Sequence, residues 1–186
     1  MRVNKIINDS KVNGPGKRYT IWVQGCSIQC KGCSNTDTWD FDKGKEISPK
    51  KLVEDLEKEK VDGITITGGE PLDQYKKVIK FLKLVFSSYD IFLTTGYTLK
   101  EIEQSALKEI LDYTDILVTG RFNEALIDET NTWRGSLNQR ISFLTKRSKK
   151  FEKYIPKHGV EIKIDKRTGN RIYSGFNIPT NLIKSK

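Results

Sequence analysis

The chain has 186 residues, 36% of them apolar, and a formal net charge of +9. That length admits one domain, or one domain with a small appendage, and is enough to bury a real core. No run approaches the length of a membrane span and the N-terminus lacks the apolar core of a secretion signal, so the sequence predicts a cytoplasmic protein without membrane segments.

Residues 1–16 read as a lead-in that closes on the turn chemistry of Asn13-Gly14-Pro15-Gly16. Tyr19-Thr20-Ile21-Trp22-Val23 is β-branched and aromatic, a strand that runs straight into a cysteine-bearing loop. Ser48-Pro49 predicts a helix start, with Leu52, Val53 and Leu56 as its apolar stripe. A second strand over 62–67 ends at Gly68-Gly69-Glu70-Pro71, and a helix follows with Tyr75, Val78, Ile79, Leu82, Val85 and Phe86 at helical spacing. Ile91 to Thr94 is a third strand, stopped by Thr95-Gly96-Tyr97. Thr98 and Glu101 form a capping box for a helix carrying Ile102, Ile110 and Leu111. Ile116 to Thr119 is a fourth strand, ended by Gly120.

Strand-then-helix units with glycines at the strand ends predict an α/β fold with a parallel sheet and crossover helices. Too few units are present to close an eight-fold barrel, so the expected architecture is a partial, open (β/α) barrel. Ligands in such sheets gather at the carboxyl edge, where the cysteine loop, Gly68-Gly69-Glu70 and Thr95-Gly96 all fall. After residue 121 a polar, loop-like stretch runs from Trp133 to Arg140, and Ile141 to Leu144 is a short strand. Val160 to Ile164 and Arg171 to Tyr173 flank a turn and predict a β-hairpin.

Charge divides the chain. Residues 1–145 hold 21 basic and 21 acidic side chains, whereas residues 146–186 hold 12 basic and 3 acidic ones and so carry the whole excess. The expected organisation is a core over 1–145 and a basic C-terminal extension over 146–186. Such an extension fits a solvated surface or an acidic partner better than nucleic acid, because no base-stacking aromatic array accompanies it.

All the cysteines, Cys26, Cys30 and Cys33, fall within eight residues. Clustered thiolates suit zinc or an iron–sulfur cluster and point to a reducing compartment. Three ligands where a closed site wants four leave one coordination position for something else.

Cys26-x3-Cys30-x2-Cys33, followed at the next strand end by Gly68-Gly69-Glu70-Pro71, resembles the radical S-adenosylmethionine (SAM) enzymes. Val12-Asn13-Gly14-Pro15-Gly16, Thr38-Trp39, Thr95-Gly96-Tyr97 and Trp133-Arg134-Gly135-Ser136-x-Asn138-Gln139 narrow the resemblance to the activating proteins of anaerobic ribonucleotide reductase. Asn35-x-Asp37-Thr38-Trp39-Asp40 is also similar to the activating enzyme of pyruvate formate-lyase. The resemblance covers roughly residues 8–145. It implies that Cys26, Cys30 and Cys33 hold a [4Fe–4S] cluster whose fourth iron is chelated by SAM. It further implies a glycyl radical enzyme as partner, most closely anaerobic ribonucleotide reductase, and an electron donor such as flavodoxin or ferredoxin. Gly68, Gly69 and Glu70 would approach the methionine end of SAM. Thr95 and Gly96 would lie on the ribose or adenine side, and Gly32 and Ser34 would offer backbone contacts beside Cys33. Many family members carry an aromatic residue before the third cysteine, where this chain has Gly32.

Two other readings accompany this one. A radical SAM enzyme could act on a small molecule or a peptide, with the extension as a substrate wall. A non-catalytic module could bind nucleic acid, or zinc through the three cysteines and His158, the sole histidine.

Overall fold

The computed structural model describes residues 1–130, 133–154, 159–164, 169 and 171–175. His158, the fourth ligand of the zinc reading, lies outside the described residues. In chain order the strands are β1 (Arg2–Ser10), β2 (Arg18–Val23), β3 (Lys45–Glu46), β4 (Gly63–Gly68), β5 (Asp90–Thr94), β6 (Ile116–Thr119), β7 (Arg140–Phe143), β8 (Glu161–Ile164) and β9 (Arg171–Ser174). The α-helices are α1 (Pro49–Leu56), α2 (Tyr75–Val85) and α3 (Leu99–Glu103).

Seven strands form one mixed sheet in the order β3-β1-β2-β4-β5-β6-β7. β2, β4, β5 and β6 are parallel neighbours, while β1, β3 and β7 pair antiparallel at the two sides. Strand alternation separates two environments. Tyr19, Ile21, Val23, Ile64, Ile66, Ile91, Leu93 and Leu117 face the helices, where they pack with Leu52, Leu56, Val78, Phe81, Leu82 and Ile102. The alternate positions carry Arg18, Thr20, Trp22, Thr65, Thr67, Phe92 and Val118 on the opposite face. Phe92, Ile116 and Val118 there bury Trp133 in a second, smaller cluster.

Local chemistry accounts for the helix starts. Ser48 Oγ accepts from Lys51 N at 3.2 Å with Pro49 in the first turn. The Thr98–Glu101 capping box is present. α3 nevertheless stops at Glu103, because Ser105 caps a separate 3₁₀ segment, Ala106–Tyr113, by accepting from Leu107 N at 3.2 Å. Two expectations are revised. Residues 2–10 are a strand rather than a lead-in, and their period-2 pattern is hidden by irregularities of register with β2 on both sides of Lys5 to Ile7. The fourth parallel strand is followed by no α-helix; the chain returns antiparallel as β7.

Below the sheet centre, Arg18 is fully buried and donates to Thr65 Oγ1, the carbonyls of Pro15, Ile64 and Asp90, and the Asp90 carboxylate. Thr65 in turn donates to the Asn13 carbonyl. Gly14, at φ +130, brings its backbone so near that a Cβ would meet Thr65 Oγ1 at 3.3 Å and Phe92 at 3.4 Å. The Asn13–Gly16 turn therefore plugs the amino-terminal end of the non-helical face, which explains a motif whose sequence reads only as turn chemistry.

At the other end of the chain, Asp115 is fully buried and Arg147 grips it with Nε to Oδ1 and Nη2 to Oδ2, both at 2.7 Å. β8 and β9 form an antiparallel pair separate from the main sheet. Among the described residues no helix is long and apolar enough to cross a membrane.

Candidate active site

The carboxyl ends of β2, β4, β5 and β6 open onto a cavity of about 850 Å³. Cys26, Cys30, Gly32, Cys33, Ser34, Gly68, Gly69, Glu70, Thr95 and Gly96 all line it. The structure thus brings every residue nominated from the sequence to one enclosure at the edge where parallel sheets place ligands.

The cysteine loop is held by its backbone. Gly25 N donates to Thr38 O at 2.7 Å and Cys26 N to Trp39 O at 3.1 Å. Gln24, 1% exposed, sends Nε2 to the carbonyls of Asp37 (3.1 Å) and Asp40 (2.7 Å), so that both limbs of the loop are tied at its base. Asp73 fastens the turn after Cys26 by accepting from Ser27 N at 2.7 Å and Ser27 Oγ at 2.8 Å. Nothing in the sequence marks Gln24 or Asp73 for these roles.

Gly68-Gly69 fuses this loop to β4. Gly69 N donates to Val23 O at 2.9 Å and Glu70 N to Gly25 O at 2.8 Å. A Cβ on Gly69 would stand 2.2 Å from Gly25 O, and one on Gly68, at φ +107, 2.6 Å from Val23 N. The glycines are thus required by the backbone of the cysteine loop itself, whatever else they approach.

Glu70 is 1% exposed and its carboxylate is fully engaged by the protein. Oε1 accepts from Leu72 N at 2.8 Å and from the Thr95 hydroxyl at 2.7 Å, and Oε2 accepts from Gly96 N at 2.8 Å. The side chain links the ends of β4 and β5. Burial pushes its pKa up to about 7, against the three hydrogen bonds and with the Asp73 charge adding to the rise.

The thiols respond to the same enclosure. Burial pushes Cys26 up against the backbone N–H groups of Gln29 and Ile28. It also pushes Cys33 up against Asn35 N–H and the Trp39 indole. Trp39 Nε1 is buried without a hydrogen-bond partner of ordinary geometry among the described residues, and it lies near enough to Cys33 to oppose part of that rise. An orphaned indole N–H beside a thiol fits a site whose occupant brings sulfur acceptors.

Among the described residues no three His, Cys, Asp or Glu side chains converge on a point suited to a single ion. A tetrahedral zinc needs its sulfurs within about 4 Å of one another. A cluster places each thiolate on a different iron, and three thiols lining one cavity offer the ligands for it. The residues present fit the cluster.

The segment after β6 covers the cavity. Phe122, Trp133, Arg134 and Gln139 line it, with Trp133 edge-on to Phe92 at a centroid distance of 5.6 Å. Gln139 Oε1 accepts from Gly135 N at 2.8 Å and Ser136 N at 3.1 Å, while its Nε2 donates to Gly120 O at 2.8 Å. Arg134 pairs with Asp128 at 2.6 Å. The Trp133–Gln139 motif, polar and loop-like in sequence, is a braced segment whose Arg134, Asn138 and Gln139 side chains bond to Asp128 and to neighbouring backbone.

A model of a 4Fe-4S single cluster domain matches residues 12–142. The fold edge, the three thiols and this match define an iron–sulfur protein with one four-iron centre. The chain is 38% identical to the anaerobic ribonucleoside-triphosphate reductase-activating protein of Vibrio cholerae over 144 residues, covering 72% of this chain and 92% of that one. It is 35% identical to the protein of the same name from Enterobacteria phage T4, over 76% of this chain and 93% of that one, and 34% identical to that of Escherichia coli, over 72% and 92%. The chain belongs to this family of reductase-activating proteins, which are radical SAM oxidoreductases with a [4Fe–4S] cluster and SAM as cofactors. This membership sets aside the zinc and nucleic-acid readings.

Proposed function

We propose that the chain installs a glycyl radical on an anaerobic ribonucleotide reductase, with Cys26, Cys30 and Cys33 as the ligands of its cluster and the remaining iron left for SAM. When bound, the reduced cluster and SAM together supply one-electron cleavage of the sulfonium, giving methionine and a carbon radical that takes a hydrogen atom from glycine. The observation that carries the reading is the common enclosure of three thiols and the Gly68-Gly69 backbone, the cysteine loop being tied to the end of β4 by the bonds from Gly69 N to Val23 O and from Glu70 N to Gly25 O.

This chain's own residues supply orientation and exclusion. The Gly68-Gly69 turn holds the cysteine loop against β4, and Glu70 holds the Thr95-Gly96 backbone at a fixed distance from it. Trp39 offers its N–H to the Cys33 side. Phe122 and Trp133 form an apolar cover that keeps water from a reactive radical. Ser34 and Gly32 remain backbone contacts for the ligand in this reading. The parallel strands and the cavity at their carboxyl ends are read as an open, partial (β/α) barrel, with residues 1–145 as catalytic core and 146–186 as a basic extension. The electron donor is an acidic carrier of the flavodoxin or ferredoxin kind, and the thiols and cluster operate in a reducing cytoplasm.

The test is anaerobic incubation of cluster-loaded protein with SAM, a reductant and the cognate reductase, followed by electron paramagnetic resonance. A glycyl doublet on the reductase and matching 5′-deoxyadenosine support the reading. 5′-Deoxyadenosine without any radical on the reductase contradicts the partner, and neither product contradicts the chemistry.

A further inference from the structure

A second cavity, of about 340 Å³, adjoins the first, and Ser34, Asn35 and Thr67 line both. Its floor is Trp22, which projects from β2 on the face away from the helices and is 4% exposed. Lys5 of β1 stands over that ring, Nζ 5.0 Å from its centroid. The outer wall is β9 and the residue after it, from Arg171 to Gly175. The wall is fastened to the core: Asn13 Nδ2 donates to Ser174 Oγ at 2.5 Å, Lys11 N to Glu161 Oε1 at 3.4 Å, and Lys163 pairs with Asp9. β8 and β9 lie beyond residue 142, where the match to the family model ends.

Lys5 is half-buried, and burial pushes its ammonium down while the charge of Asp37 across the cavity opposes the shift. Among the described residues it makes no hydrogen bond or ion pair, and the Trp22 face is what it rests on. Arg171, exposed at the cavity rim, likewise has no ion pair among the described residues. A partly desolvated ammonium without an acceptor is costly. Two cations, one carboxylate and a ring of hydroxyl and amide groups leave a net positive chamber that shares Ser34, Asn35 and Thr67 with the cavity lined by the cysteines.

We propose that this annex is an anion subsite, in which Lys5 and Arg171 hold an oxyanion over the Trp22 ring. Its place in the reaction rests on the reading of the chain as a glycyl-radical activase. A glycine in the middle of a polypeptide draws its flanking residues toward the reacting centre, and the annex is space for such a side chain next to the cluster cavity. The oxyanion then comes from a carboxylate of the protein substrate beside its glycine, or from a free anion of phosphate type.

The experiment uses full-length, cluster-loaded protein and two variants, Lys5→Met, which keeps the aliphatic stem over Trp22, and Arg171→Ser at the exposed rim. 5′-Deoxyadenosine formed without reductase is expected to be unchanged in both, and its absence from the parent protein is a failure of the activase reading alone. For a carboxylate of the substrate, Lys5→Met raises the reductase KM roughly tenfold, as expected for a lost charge-assisted hydrogen bond, with kcat kept. Inorganic phosphate then competes with the reductase in the parent and not in the variant. For a free anion, calorimetric binding of inorganic phosphate is lost in Lys5→Met while the reductase KM stays put. If both variants leave the reductase KM and phosphate binding as they are in the parent, the subsite is refuted.

Discussion

The Glu70 carboxylate accepts the Thr95 hydroxyl at 2.7 Å across the gap between the ends of β4 and β5. With Gly96 N on its other oxygen, Glu70 is a cross-brace between two loops that line the cavity rather than a side chain free to grip a ligand. Glu70→Gln keeps the size but turns an amide toward one of three N–H or O–H donors. It is expected to cost about 1–3 kcal/mol of stability and to raise the KM for SAM more than it lowers kcat.

The same residue sets a pH dependence. Its folded pKa, about 7, lies above the ordinary carboxylate value of 4.5, so the folded state holds a proton that the unfolded chain gives up. Its contribution is fully present below 4.5 and is lost as pH rises to about 7. In cluster-free protein, the stability gap between the parent and Glu70→Gln should therefore narrow over that window. Urea unfolding at several pH values reads it; a constant gap contradicts the account.

Gly69→Ala and Gly32→Ala should differ sharply. The added Cβ at Gly69 meets the Gly25 carbonyl at 2.2 Å, backbone that cannot yield without moving the cysteine loop. At Gly32 the nearest atoms all belong to the exposed side chain of Glu124, Oε2 at 2.4 Å and Cβ at 2.8 Å, so the carboxylate swings away, Glu124 shifts slightly, and the φ of +75 adds its own strain. Iron content after reconstitution is expected to collapse in Gly69→Ala and to survive in Gly32→Ala, with a stability loss of about 1 kcal/mol in the latter.

Trp39→Phe removes the indole N–H beside Cys33 while keeping most of the ring. Hydrogen bonds to cluster sulfur favour the reduced form, so the variant's midpoint potential should fall. A redox titration followed by electron paramagnetic resonance measures it, and an unchanged or raised potential contradicts the assigned donor.

Asp115 and Arg147 anchor the start of the basic stretch to the sheet. Burial alone would raise the Asp115 carboxyl, but hydrogen bonds from Arg147, Thr145 and Ile91 N outweigh it and hold the pKa below the usual carboxylate value of 3.8. This stability is present above 3.8 and is lost as the pH falls through the lower, folded value. Arg147→Ala leaves a buried charge unpaired and should cost about 3–5 kcal/mol near neutral pH. The loss should shrink in acid, as chemical unfolding will show.

The parallel strands were legible because β-branched runs ending in glycine have a strong signature, and Cys26, Cys30 and Cys33 because thiol clustering is rare. β1 escaped because its register with β2 is irregular and breaks the alternation by which a strand is read. Gln24, Asp73 and Arg18 escaped for another reason: each acts on backbone carbonyls, N–H groups or partners brought near by folding, and no local spacing records that. The roles of Gly68 and Gly69 were half legible. Close approach was evident from the residue type, but the atom approached, Gly25 O, required the sheet register of β2 against β4.

The most direct test of the central claim is the electron paramagnetic resonance spectrum of the reduced cluster with and without SAM, in the parent and in Cys26→Ser, Cys30→Ser and Cys33→Ser. The account predicts a [4Fe–4S] signal in the parent that changes when SAM is added, and loss of that SAM-responsive signal in each variant. A parent cluster indifferent to SAM, or one that survives loss of any of these cysteines, would contradict it.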